Sequence, residues 1–140
     1  MVAPPTVTAE VIVGDGHATG RQHCTSLRLS WYAADPLAVH LLLTAQPDHP
    51  ALPRGRWTML RDFLSYGLTH ATGDGDVRVR PDAAGALVVL ELFRDGRCTT
   101  VRVPASTVQD FLDATEAVVP AGEERSEAAL DELIARLSRA

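Results

Sequence analysis

The side chains with chemistry to offer form four sets, and spacing decides what each can do. His17, His23, Cys24, His40, His49 and His70 supply nitrogen and sulfur ligands. No Cys-x-x-Cys or His-x-x-x-His pair occurs and the histidines scatter over turns and strands, so no metal site is expected. Ser26, Ser65, Cys24 and Cys98 are nucleophilic atoms, but none stands in a nucleophile elbow or a cysteine-protease context. The 18 carboxylates obey no acid–base spacing rule. Asp74-Gly75-Asp76 lacks the alternating acids and distant Glu of a calcium loop, and Gly14-Asp15-Gly16 lacks the rest of a phosphate-binding glycine pattern. Both read as turns. No catalytic residue, metal or cofactor is therefore assigned. The remaining set is Arg54, Arg56 and Trp57 beside a proline-rich loop, with Arg78 and Arg80 on one face of a strand. Arginine and tryptophan are favoured interface anchors, and these five residues are the candidate protein-interaction positions.

The elements that must carry them read as a meander of short strands followed by helices. Val7, Ala9, Val11 and Val13 share a face, and Leu27, Leu29 and Trp31 alternate with Arg28, Ser30 and Tyr32. Asp35-Pro36 punctuates, because proline fixes φ and biases its predecessor towards extended backbone. Leu37, Val39, Leu41 and Leu43 form the inner face of a third strand, on which His40 reads as a hydrogen-bonded strand histidine. Pro47, Pro50 and Pro53 mark an exposed loop before a fourth strand at Arg56 to Leu60. Asp62 is placed to cap a short helix with Phe63, Leu64 and Leu68 inward and Gly67 near its end.

Val77 and Val79 alternate with Arg78 and Arg80 in a fifth strand. Leu87 to Phe93 and Cys98 to Val103 flank Asp95-Gly96, a dipeptide suited to the positive φ angles of a tight hairpin turn. Both strands of that hairpin carry apolar residues on each face, as in a sheet covered on two sides. Trp31, Phe63, Phe93 and Phe111 read as core aromatics. Ser106 with Gln109 fits a capping box for a second helix through Val108, Phe111, Leu112 and Thr115. Gly122 either ends that helix or hinges a third one, whose stripe is Leu130, Leu133, Ile134 and Leu137. The expected fold is α+β, with about seven antiparallel strands and three helices.

At 140 residues the chain fits one domain able to bury a stable core without staples. Two cysteines are too few for a disulfide framework and read as reduced core thiols of a cytosolic protein. The start, Met1-Val2-Ala3-Pro4-Pro5, does not resemble a secretory signal, and no apolar run approaches a membrane span. All 13 basic side chains are arginine, with no lysine or asparagine, the footprint of GC-rich coding. A net charge of −5 argues against non-specific nucleic-acid binding, which needs clustered positive surface.

Three phrases in fixed order carry a resemblance. They are Asp35-Pro36-Leu37-Ala38-Val39-His40, then Trp57-Thr58-Met59-Leu60-Arg61-Asp62-Phe63-Leu64-Ser65-Tyr66-Gly67-Leu68, then Thr72-Gly73-Asp74-Gly75-Asp76-Val77-Arg78-Val79-Arg80-Pro81. Together they resemble the SsgA/SsgB-like family of actinobacterial sporulation and cell-division regulators, from about Arg21 to the final helix. Leu37 and Arg80 stand where aromatic residues are expected, and the proline loop looks long. The resemblance implies one SsgA-like domain over residues 1–140 with a fold like that of Whirly and guide-RNA-binding proteins, assembled as a homotrimer. It further implies a non-enzymatic, cytoplasmic role at the division septum, recruiting FtsZ with SsgA-type partners and needing no cofactor or membrane insertion. The alternative is a single-stranded nucleic-acid-binding module, for which seven aromatic residues, most at apparent core positions, leave few bases a stacking partner.

Overall fold

A computed structural model describes residues 4–14, 24–45 and 55–124. In them two antiparallel four-stranded sheets follow one another, each ending in a helix. The first sheet is a meander of β1 (Val7–Gly14), β2 (Cys24–Tyr32), β3 (Asp35–Ala45) and β4 (Gly55–Leu60). Helix α1 (Arg61–Tyr66) leaves β4 without a break. The second sheet runs β5 (Thr72–Asp74), β6 (Val77–Pro81), β7 (Leu87–Arg94) and β8 (Arg97–Pro104), and helix α2 (Ala105–Val118) follows directly.

Period-two alternation sets the faces. Leu29 pairs with Ala9 and Leu41, and Leu41 with Trp57, so one inward row crosses four strands. In the second sheet Val79 pairs with Leu90 and Leu90 with Val101. Both inner faces, with Leu64 of α1 and Val108, Phe111 and Leu112 of α2, form one buried cluster. Each large side chain sealed there contributes about 1.5–3 kcal/mol relative to exposure. Gly67 tightens the fit: a Cβ at that position would lie 2.3 Å from Val79 Cγ1, so the end of α1 rests directly on β6.

The Asp95-Gly96 hairpin is as expected, with φ of 52° and 74°. Several expectations are corrected. There are eight strands among the described residues, because Thr72–Asp74, to which no strand is assigned from sequence, pairs with Val77–Val79 across the expected turn at Asp74-Gly75-Asp76. Neither helix carries the expected cap: α1 begins after Leu60, with Asp62 inside its first turn, and α2 begins after Pro104. Gln109 bonds Asp113 instead of completing a capping box. A β-bulge at Trp31/Tyr32 turns the start of β3, so Pro36 is buried and its carbonyl accepts from Trp31 Nε1, while Leu37 is 48% exposed. Of the hairpin's two strands only β7 has a buried residue on its outer face, Val89; Cys98, Thr100 and Arg102 of β8 are exposed, so Cys98 is no core thiol. Phe93 is likewise only half-buried, because it sits outside the core cluster. The expected third helix, the proline loop, the Gly14-Asp15-Gly16 turn and the Cys24 side chain lie outside the described residues.

Candidate functional site

The outer face of the second sheet concentrates arginine. Register sets Arg78, Glu91 and Thr100 in one row across β6, β7 and β8, Arg80, Val89 and Arg102 in the next, and Phe93 beside Cys98. Arg78, Arg80 and Arg102 are exposed. Arg78 lies over the Phe93 ring, 5.1 Å from its centroid, a cation–π placement. Arg80 approaches Glu91 at 3.6 Å. Val89 is 1% exposed although it stands outside the core cluster. Its cross-strand neighbours are Arg80 and Arg102.

The structure does not gather the five sequence candidates into one patch. Trp57 is 7% exposed, donates Nε1 to the Phe93 carbonyl at 3.0 Å and lies under the Arg94 guanidinium, so its ring is structural and not a surface anchor. Alternation along β4 is the reason, since Trp57 and Met59 face inward while Arg56 and Thr58 face out. Arg56 therefore projects from the first sheet, while Arg78 and Arg80 project from the second. Arg54 lies outside the described residues. Arg102, which sequence reading passed over, joins Arg78 and Arg80; the signal was its alternation with Val101 and Val103.

A second feature joins the ends of the fold. Arg61, the first residue of α1, is 2% exposed and crosses to the segment beyond α2. Its guanidinium donates to Glu124 Oε1 at 2.9 Å, Val119 O at 2.8 Å and Thr115 Oγ1 at 3.3 Å. It also lies 5.4 Å from the Trp31 ring centroid. Bonding from Arg61 holds the Glu124 carboxyl below its ordinary value, against the opposing effect of burial. The turn before it needs Gly122: Glu123 N bonds Pro120 O at 3.0 Å and Gly122 has φ +88° at the third position, which glycine adopts without strain. Helix α2 has already ended, at extended Val119, so Gly122 shapes the return to Arg61 and does not terminate the helix.

The outer face of the first sheet is polar and forms a shallow concavity of about 720 Å³ lined by Tyr32, His40, Arg56 and Thr58 among others. There Ser26 Oγ donates to Glu10 and Arg28 approaches it at 3.3 Å, holding that carboxyl below its ordinary value. His40 Nδ1 is 3.3 Å from Thr58 Oγ1, the hydrogen-bonded strand histidine expected. Among the described residues, no three His, Cys, Asp or Glu side chains converge as a metal-binding group. No described helix is long and apolar enough to cross a membrane.

Two antiparallel sheets around one core, with charged side chains displayed on their outer faces, define a small α+β scaffold. Its sequence places it more narrowly: the family model described as Streptomyces sporulation and cell division protein, SsgA, matches residues 25–124. The chain belongs to the SsgA family. The sporulation-specific cell division protein SsgB of Streptomyces coelicolor is 32% identical over 111 residues, covering 78% of each chain. The structure of SsgB described with mutations that correlate to longitudinal cell division during sporulation of that organism superposes with a TM-score of 0.70. It is 30% identical, over 86% of this chain and 91% of that one. The crystal structure of an SsgA-like sporulation-specific cell division protein from Thermobifida fusca gives 0.75 at 25% identity, over 97% and 98%.

Proposed function

We propose that this chain is a non-enzymatic regulator of sporulation-specific cell division that helps position or recruit FtsZ at septum sites through protein–protein contacts, with SsgA-type proteins as further partners. The observation that carries this reading is the display of Arg78, Arg80 and Arg102 on hydrogen-bonded strands above a single core. Side chains held on strands keep their spacing when a partner arrives, so little ordering entropy is lost on binding. Arg56 offers a separate contact on the other sheet, with Arg54 two residues before it in the sequence as a further candidate. The domain, residues 1–140, works as a homotrimer in the cytoplasm, where repeated weak contacts add up by avidity. It reaches the septum through its partners and without inserting into the membrane. Gly122 serves as a hinge for the segment that follows, with the Arg61–Glu124 pair as its latch.

The test is co-sedimentation of the purified chain with polymers of FtsZ from the same organism at physiological salt, with single-stranded DNA titrated in parallel. Saturable binding to FtsZ and none to DNA is the expected result. DNA binding alone would replace this reading with the nucleic-acid module. Light scattering on the same preparation measures whether the mass is three times that of one chain.

A further inference from the structure

We infer that the outer face of the second sheet is a docking surface for an extended acidic segment of a partner protein, read by Arg78, Arg80 and Arg102; this rests on the adaptor reading above. Charge is segregated towards that sheet. Residues 77–104 hold five arginines against three acidic residues, within a chain whose net charge is −5. Two of those acids are occupied locally: Asp82 accepts from the Leu87 amide and Asp95 forms the hairpin turn. The third, Glu91, approaches Arg80 alone, at 3.6 Å. Arg102 has no acidic partner among the described residues. Like charges displayed on one face repel, and an incoming carboxylate relieves that repulsion while accepting from the planar guanidinium fork.

Spacing selects an extended occupant. Arg78 and Arg80 are two residues apart on one strand, about 6.8 Å along it, which is also the repeat of alternate side chains in an extended peptide. Arg80 and Arg102 straddle Val89 from strands on either side of β7, about 9.6 Å apart. A segment with acids at alternate positions therefore meets two guanidiniums along β6 and a third across the face. Between β6 and β8 the same rows hold Val89 and Glu91, and Phe93 stands beyond Arg78, under its guanidinium.

The test titrates the full chain into a short fluorescein-labelled peptide alternating Glu and Thr, followed by fluorescence anisotropy. Expected is saturable binding that weakens as salt rises and disappears when the glutamates are replaced by glutamine. Expected too is a loss of about tenfold or more in the R78E/R102E pair, with R28E on the opposite sheet unchanged. The milder R78Q/R102Q pair, its fold verified by thermal melting, should weaken in the same direction. No peptide binding, or binding indifferent to both pairs, overturns the inference. So does tighter capture of an oligonucleotide or of anionic phospholipid vesicles through the same arginines. FtsZ retained by R78E/R102E removes this site while leaving recruitment intact; a wild-type chain that ignores FtsZ yet holds the peptide does the reverse.

Discussion

Glu124→Ala is the substitution with the most to reveal, because it cuts a buried ion pair spanning 63 residues of chain. The wild-type Arg61 side chain is 3% exposed and the Glu124 side chain 8%. Removing one partner of a buried pair typically costs about 3–5 kcal/mol. Val119 O, Thr115 Oγ1 and Pro120 O remain for Arg61, so we expect about 2–3 kcal/mol for E124A, within that logic of partial compensation. Arg61→Met strands the carboxylate and orphans the Val119 carbonyl, and should cost about 3–5 kcal/mol. The double variant should fall short of the sum by about 2 kcal/mol, since neither charge is then left unpaired. Urea unfolding measures each value, read as a shifted midpoint at unchanged slope. A cost for E124A below about 0.5 kcal/mol, or an additive double variant, would refute a coupled clasp. The pH dependence has a defined sign. The folded carboxyl titrates below its ordinary value of 4.5, so its stabilisation is complete above that value and is lost as pH falls through the lower folded one. E124Q should flatten the acid limb of the stability profile relative to wild type.

Other expectations follow from packing. Gly67→Ala forces a methyl against Val79 and should destabilise by about 1–3 kcal/mol despite better helix propensity, with partial recovery in G67A/V79A on thermal melting. Trp57→Phe deletes the bond to the Phe93 carbonyl and should cost about 1–3 kcal/mol in urea, its effect on any partner tracking the unfolded fraction. Leu37→Ser should change stability by less than about 0.5 kcal/mol, since the side chain is 48% exposed; a larger loss would mean that the bulge at Trp31/Tyr32 does not release it.

Much of the first sheet was legible because its strands alternate strictly, and the β7–β8 turn because Asp-Gly is specific for it. Strand β5 was not, since Thr72-Gly73-Asp74 is three residues long and contains glycine, which weakens any strand signal. Phe93 is misplaced for a related reason: β7 is apolar on both faces, so its pattern does not say which face the core takes, and Cys98 of β8, paired with Phe93, shares its outer face. Arg78 and Arg80 were found through alternation, while Trp57 was chosen by residue type against the alternation of β4. The Arg61–Glu124 clasp left no local trace. A lone arginine after a strand finds its partner only once the second sheet and two helices have folded between them.

Each of the two tryptophans in this chain lies beside one guanidinium, Trp31 by Arg61 and Trp57 by Arg94. The indoles thus mark two different seams: the clasp behind α2, and the join where β4 meets the end of β7. A variant retaining Trp31 alone emits from the first seam, and one retaining Trp57 alone from the second. The protein thereby carries its own pair of optical gauges, able to tell whether an arriving partner loosens the clasp, separates the sheets or leaves both untouched.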